Sequence, residues 1–238
     1  VDTTSSYTGT KKVLPAAKPV ASFTSPIPKS LATMDISTAA LTPPPPPPSK
    51  SKGKSGSPPP PPGPPVLTPG AYRNVTVESG KTLQLKSGRY YVSEKFLVDG
   101  GTVEVDSSMG PVILYVGQEM TILNSGRVNP YDQARDLQVY FTDEQVTLDP
   151  ATGLPANDPV TGLPMIKSQL NVTKGTATMV AAGKRLEVTG DEFEMYGAVV
   201  GGLIKLTKSK LHYDTSLKDQ ALGGQATWTL EGVHEFHP

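Results

Sequence analysis

The 238-residue chain contains no cysteine. A disulfide scaffold, a thiolate zinc centre and a cysteine nucleophile are therefore excluded. The absence fits either redox compartment, but it suits a secreted protein that must avoid stray cross-links. Histidine is nearly as scarce. His212, His234 and His237 are the only three, and two of them fall in the last five residues. No G-x-S-x-G, H-E-x-x-H, P-loop or dinucleotide fingerprint occurs. Gly197, Gly201 and Gly202 surround Ala198 to Val200, but no helical pattern follows them to cradle a phosphate. These gaps argue against an enzyme, and no cofactor is expected. No apolar run is long enough to span a bilayer, and no signal peptide is present. The chain starts at Val1 rather than Met, so it is expected to be a mature or trimmed product that has lost its targeting segment.

Apolar residues make up 36% of the chain and aromatics 6%, both low for a compact globule of this length. What is abundant is proline (25) and glycine (23). Prolines crowd between Pro43 and Pro69, whereas glycines recur singly through the rest. Charge is balanced at 22 basic and 22 acidic residues, but unevenly spread. Before Leu67, seven lysines (Lys11, Lys12, Lys18, Lys29, Lys50, Lys52, Lys54) face Asp2 and Asp35, so that segment is +5 and the remainder −5. A basic tail on an acidic body is one pattern of nucleic-acid or anionic-lipid binding. No aromatic is interleaved among the lysines of the proline-rich part, so bases have nothing to stack on. The segment reads as a solvated linker, with no nucleic-acid partner.

Residues 1–66 hold no period of 3.6 or 2 and read as an extended Ser/Thr/Lys/Pro-rich arm. Two polyproline blocks, Pro43 to Pro48 and Pro58 to Pro62, flank a polar spacer. Proline's fixed φ and missing N–H favour polyproline II, which at about 3.1 Å per residue reaches on the order of 70 Å over this stretch. Ligands of SH3 and WW domains look similar; a stalk is the expectation here.

From Leu67 the texture changes. Val75-Thr76-Val77, Leu83-Gln84-Leu85, Tyr91-Val92, Phe96-Leu97-Val98, Val103-Glu104-Val105 and Val112 to Val116 follow about every seven or eight residues. Met120-Thr121-Ile122, Leu137 to Phe141, Leu170-Asn171-Val172, Leu186-Glu187-Val188 and Tyr196 to Val200 continue the series. Alternation of apolar and polar residues predicts half-buried strands, and helical signals are almost nil. Strands this short with glycine corners suit a solenoid, a barrel or a sandwich. The strands are shorter than those of typical sandwiches, and the separators are too short for Greek-key crossovers. The predicted fold is therefore all-β: a β-solenoid (parallel β-helix) over residues 67–238, preceded by the extended arm. Within it, Asp149-Pro150-Ala151-Thr152-Gly153-Leu154-Pro155 recurs almost unchanged from Asp158 to Pro164. Four prolines exclude a central strand, so 149–164 is predicted as an exposed loop insertion. A calcium site from Asp143, Glu144, Asp149 and Asp158 is conceivable, but the spacing matches no calcium loop and Asp-Pro usually just opens a turn. No metal is expected.

Carbohydrate-active β-helices are the serious enzymatic alternative. Asp191, Glu192 and Glu194 lie beside Lys184 and Arg185 in sequence, though a solvated corner explains them equally well. Asn74-Val75-Thr76 and Asn171-Val172-Thr173 match the glycosylation sequon but also place a valine on a strand.

Several segments together resemble a C-terminal domain of bacterial type IV pilus-associated surface proteins of the PilX-like kind. They run from Leu67-Thr68-Pro69-Gly70-Ala71-Tyr72 through Leu83 to Val92 and Gly110 to Val116. The most specific are Tyr196-Gly197-Ala198-Val199-Val200-Gly201 and Leu211-His212-Tyr213-Asp214. The resemblance implies a β-helical domain without known catalysis on a bacterial surface. It also implies that the His-Tyr-Asp box closes the solenoid, with a tryptophan segment after it, here Trp228. On that reading Tyr213 covers the last coil and Asp214 caps the turn from Thr215 to Leu217. An uncovered coil exposes strand edges and core, so a cap or a second subunit is required.

The expected function is a non-catalytic extracellular structural or adhesive protein, pilus-associated or itself a filament subunit. Its partners would be further copies, other pilus or surface proteins, or glycans. The arm could donate a strand to an open coil end through Val13-Leu14, Val20 to Phe23 or Leu41-Thr42. The alternatives are a bactofilin-like cytoskeletal scaffold and a glycan-binding or glycan-cleaving β-helix. Ice binding would want flat rows of Thr-x-Thr, which are absent.

Overall fold

The structure, a computed structural model, describes residues 25–41, 63–142, 156–157, 168–214, 217, 221–222 and 226–227. The chain winds into a three-sided parallel β-helix, as the strand spacing predicts. An isolated strand, β1 (Asp35–Ser37), comes first. Coil one holds β2 (Val66–Leu67) and β3 (Gly70–Val77), which bends across two faces. Coil two holds β4 (Thr82–Lys86) and the similarly bent β5 (Gly88–Asp99). Coil three has one strand per face: β6 (Thr102–Asp106), β7 (Val112–Val116) and β8 (Glu119–Leu123). Coil four repeats this with β9 (Arg127–Val128), β10 (Leu137–Phe141) and β11 (Ser168–Thr173). Coil five is β12 (Thr176–Ala182) and β13 (Leu186–Asp191), and coil six β14 (Glu194–Val200) and β15 (Leu203–Thr207). The seventh coil begins with β16 (Lys210–Tyr213), and a two-stranded hairpin, β17 (Ala221–Leu222) and β18 (Ala226–Thr227), follows.

Period-2 alternation explains the core. In a strand every second side chain points to the same face, so in-register stacking turns inward positions into columns. One column on the third face runs Ile36, Val75, Phe96, Met120, Leu170, Val188 and Ile204. Another, on the first face, runs Leu83, Val103, Val128, Ala177, Met195 and Leu211. Within the columns the members from Val75 to Val188 and from Leu83 to Met195 are buried. Each buried aliphatic contributes about 1.5–3 kcal/mol. Tyr90, Tyr91 and Tyr140 are among the largest fully buried side chains, and Tyr90 belongs to the central core. Its hydroxyl lies 2.7 Å from the Lys86 carbonyl oxygen and 2.9 Å from that of Leu67, so the polar tip is satisfied inside.

Glycine is compulsory where coils touch most closely. Gly197 has φ of +134°, and a Cβ there would run into the Met179 carbonyl of the coil below. Outside the wall, Ala134 and Leu217 cover Val180 and Ala198, making a small second apolar cluster.

The stretch before Leu67 is not featureless. β1 adds to the sheet edge by pairing in parallel with β3. Arg73 and Asn74 bind the Asp35 carboxylate at one end. At the other, the Ser37 and Thr38 hydroxyls donate to Glu78, and the Glu78 amide donates back to Thr38 Oγ1 at 3.0 Å. A strand is thus donated to a coil end, but within one chain and by Asp35–Ser37. Of the expected donor stretches, Leu41 packs against the core, while Val13, Leu14, Val20 and Phe23 lie outside the described residues. So do Thr42, the polyproline blocks, most of the 149–164 insertion and the conceivable calcium ligands. Among the described residues, no helix is long and apolar enough to cross a membrane.

Candidate functional site

Two features of the C-terminal coils stand out: a cleft on the outer wall and an open coil end. The cleft arises because the chain leaves the helix after β9. Asn129, at φ of +51°, turns it outward. The Asn129 amide donates to the Thr178 carbonyl at 2.9 Å and the Gln133 carbonyl at 3.1 Å, which ties the excursion to the wall. Its Oδ1 is buried and accepts no hydrogen bond from the protein. A short 3₁₀ turn, Ala134–Asp136, closes the excursion, with the Gln133 amide donating to Asp136 at 3.1 Å.

Pro130, Asp132 and Gln133 form one bank of the cleft. The other bank is the outer surface of β12, β14 and β16, where Thr178, Tyr196 and His212 stack as register partners. Tyr213 and Asp214 continue that bank, and the cleft, open to solvent, has a volume of about 600 Å³. The Tyr196 and His212 rings lie 4.5 Å apart and 10° from parallel. Both reach Glu194: His212 Nε2 is 3.0 Å from Oε1, and the Tyr196 hydroxyl donates to the same oxygen at 3.2 Å. The hydrogen bond from His212 is the main reason the Glu194 carboxyl sits below its usual range. Tyr196 is pushed up by its bond to that carboxylate. Asp132 is raised, first by burial and then by the charges of Asp136 and Asp106. Beside the cleft, Arg127 lies over the exposed Tyr131 ring at 5.6 Å.

His212, Tyr213 and Asp214 are the residues expected to close the solenoid, and the structure places all three along the cleft. His212 faces outward from β16, and Tyr213 and Asp214 line the cleft. Asp214 does begin a turn, its carbonyl accepting the Leu217 amide at 3.1 Å, while its own amide donates to Gly197 at 3.3 Å. Among the described residues, nothing covers the coil end. Ile204, Leu206 and Leu211 are 42%, 38% and 45% exposed, although their partners one coil below are buried. The reason is periodicity: in an alternating strand His212 must point opposite to Leu211. Trp228 lies outside the described residues.

The acidic and basic residues around position 190 are not brought together as one group. Lys184 and Arg185 precede β13 and Asp191 ends it, about 16 Å away along the strand. Glu192 pairs with Lys174 at 3.9 Å. Of these, Glu194 touches the cleft lining, through its bonds to Tyr196 and His212. The sequon asparagines serve the wall: Asn74 donates to Asp35 and Glu94, and Asn171 to Glu119. Among the described residues, no group of three or more His, Asp or Glu is placed to hold a metal ion.

Sequence reading missed Asp132, Gln133 and the Tyr196–His212 stack. Their signal lies in coil length. Met195 pairs with Leu211, sixteen residues on, which sets Tyr196 beneath His212.

No curated protein and no solved structure matches the chain. The model of a domain of unknown function, DUF7305, matches residues 69–220, more than half of the chain and almost every coil described above. The chain belongs to the DUF7305 family.

Proposed function

We propose that this protein is a non-catalytic structural or adhesive module of the bacterial cell surface, joined end to end through its coil edges into a filament or onto pilus proteins. The observation that carries the reading is the uncovered C-terminal edge. There β15 and β16 each pair on one side only, to β13 and β14, among the described residues. Unpaired N–H and C=O groups beside exposed apolar side chains are a template for another strand.

A second copy supplies the matching surface. Every strand of the β-helix runs parallel, so the first coil of one copy continues the last coil of another without reversing direction. The N-terminal end already accepts one added strand, β1, and presents exposed Leu31 and Met34. Heterologous head-to-tail contacts of this kind extend into filaments when the rotation does not close.

Electron microscopy of the purified full chain at rising concentration tests the assembly, with filaments or head-to-tail oligomers expected. Fractionation of native cells tests the location. Recovery from the cytosol would replace the surface reading with a bactofilin-like scaffold.

A further inference from the structure

We infer that the cleft between the Pro130–Gln133 excursion and the Tyr196–His212 stack binds an uncharged sugar of an oligosaccharide. The inference goes beyond coil-end assembly and does not depend on it.

Size and lining come first. A volume of about 600 Å³ lies in the range of small-molecule sites, which combine apolar surface with a few placed polar groups. Tyr196 is 44% exposed; His212 stacks on one face of its ring, and the remaining surface of the pair, with Tyr213, gives that bank its aromatic character. A pyranose ring has a face of C–H groups that packs on such surface and a rim of hydroxyls that needs acceptors. Acceptors stand opposite and alongside. Asp132 and Asp214 offer carboxylates, which when ionised are acceptors alone, and Gln133 offers an amide that both donates and accepts.

Charge narrows the class. Neither lysine nor arginine lines the cleft among the described residues, whereas two carboxylates do. Asp132 already lies close to Asp106 and Asp136. An anionic ligand would add to that repulsion, which disfavours sialic acids, uronic acids and phosphates. The platform is also built rather than incidental. Glu194 fixes both Tyr196 and His212, and Asn129 fixes the facing bank.

The test is a glycan array probed with the full chain. It should carry glucose, galactose, mannose and N-acetylhexosamine termini beside sialylated and uronic-acid-capped counterparts. The best neutral oligosaccharide is then titrated by calorimetry against three variants. Neutral glycans are expected to bind and their acidic counterparts not to. Tyr196→Ala and Asp132→Asn should each weaken binding about tenfold, and Tyr196→Phe, which keeps the ring, should retain most of it. Unchanged melting temperatures of these exposed-site variants separate loss of binding from loss of fold. An array without neutral binders, a preference for acidic glycans, or equal binding by Tyr196→Ala would overturn the inference.

Discussion

Val188 and Ile204 stand in the same inward column one coil apart, yet Val188 is 1% exposed and Ile204 42%. The same side-chain direction thus ends in core at one level and in solvent at the next. Exchange of Ile204 for Lys should cost at most about 1 kcal/mol, because the residue is already 42% exposed and a lysine head can reach water from there. Phe96→Ala, deep in that column, should cost about 3–5 kcal/mol. Urea titrations of the two variants make the comparison, and equal losses would mean that the end coil is covered.

Gly197 is the position where a single methyl group does most harm. Its φ of +134° and its approach to the Met179 carbonyl leave no place for a Cβ. Gly197→Ala should destabilise by about 2 kcal/mol or more and loosen coils five to seven first. Hydrogen exchange along β12, β14 and β16 would locate the damage. A variant with wild-type protection there would contradict the close packing of these coils.

Acid should release β1 before it unfolds the helix. Hydrogen bonds from Arg73, then Asn74, hold the Asp35 carboxyl at about 2, against an ordinary value of 3.8. A depressed carboxyl contributes stability that is complete above its unfolded value and drains away as pH falls through its folded one. Protection of the Ser37 and Thr38 amides should therefore be intact near pH 5 and lost towards about pH 2. Arg73→Ala should move that loss to higher pH. Identical profiles in the two proteins would remove the ion pair from the docking of β1.

Alternation made the fold readable. Runs such as Leu83-Gln84-Leu85 and Val103-Glu104-Val105 declare their inward faces, and their close spacing favours a coil over a sandwich or a barrel. What alternation does not carry is register between coils. That is why β1, whose three residues include a single apolar side chain, Ile36, went unpredicted. The short β9 was missed for the same reason, since its pairing comes from the coils above and below. The cleft was legible only in part. His212, Tyr213 and Asp214 read as a cap in the sequence, and in the structure all three line the cleft. Asp132 and Gln133 belong to an excursion whose return to the wall depends on Asn129 bonding across forty-nine residues to Thr178. No local pattern announces such a bond.

The most direct measurement is sedimentation velocity of the full chain across a concentration series, beside the double variant Ile204→Lys, Leu211→Lys. The account predicts that the wild-type sedimentation coefficient climbs with concentration while the double variant stays monomeric and folded. A wild-type chain that remains monomeric throughout, or a double variant that assembles equally well, would contradict it.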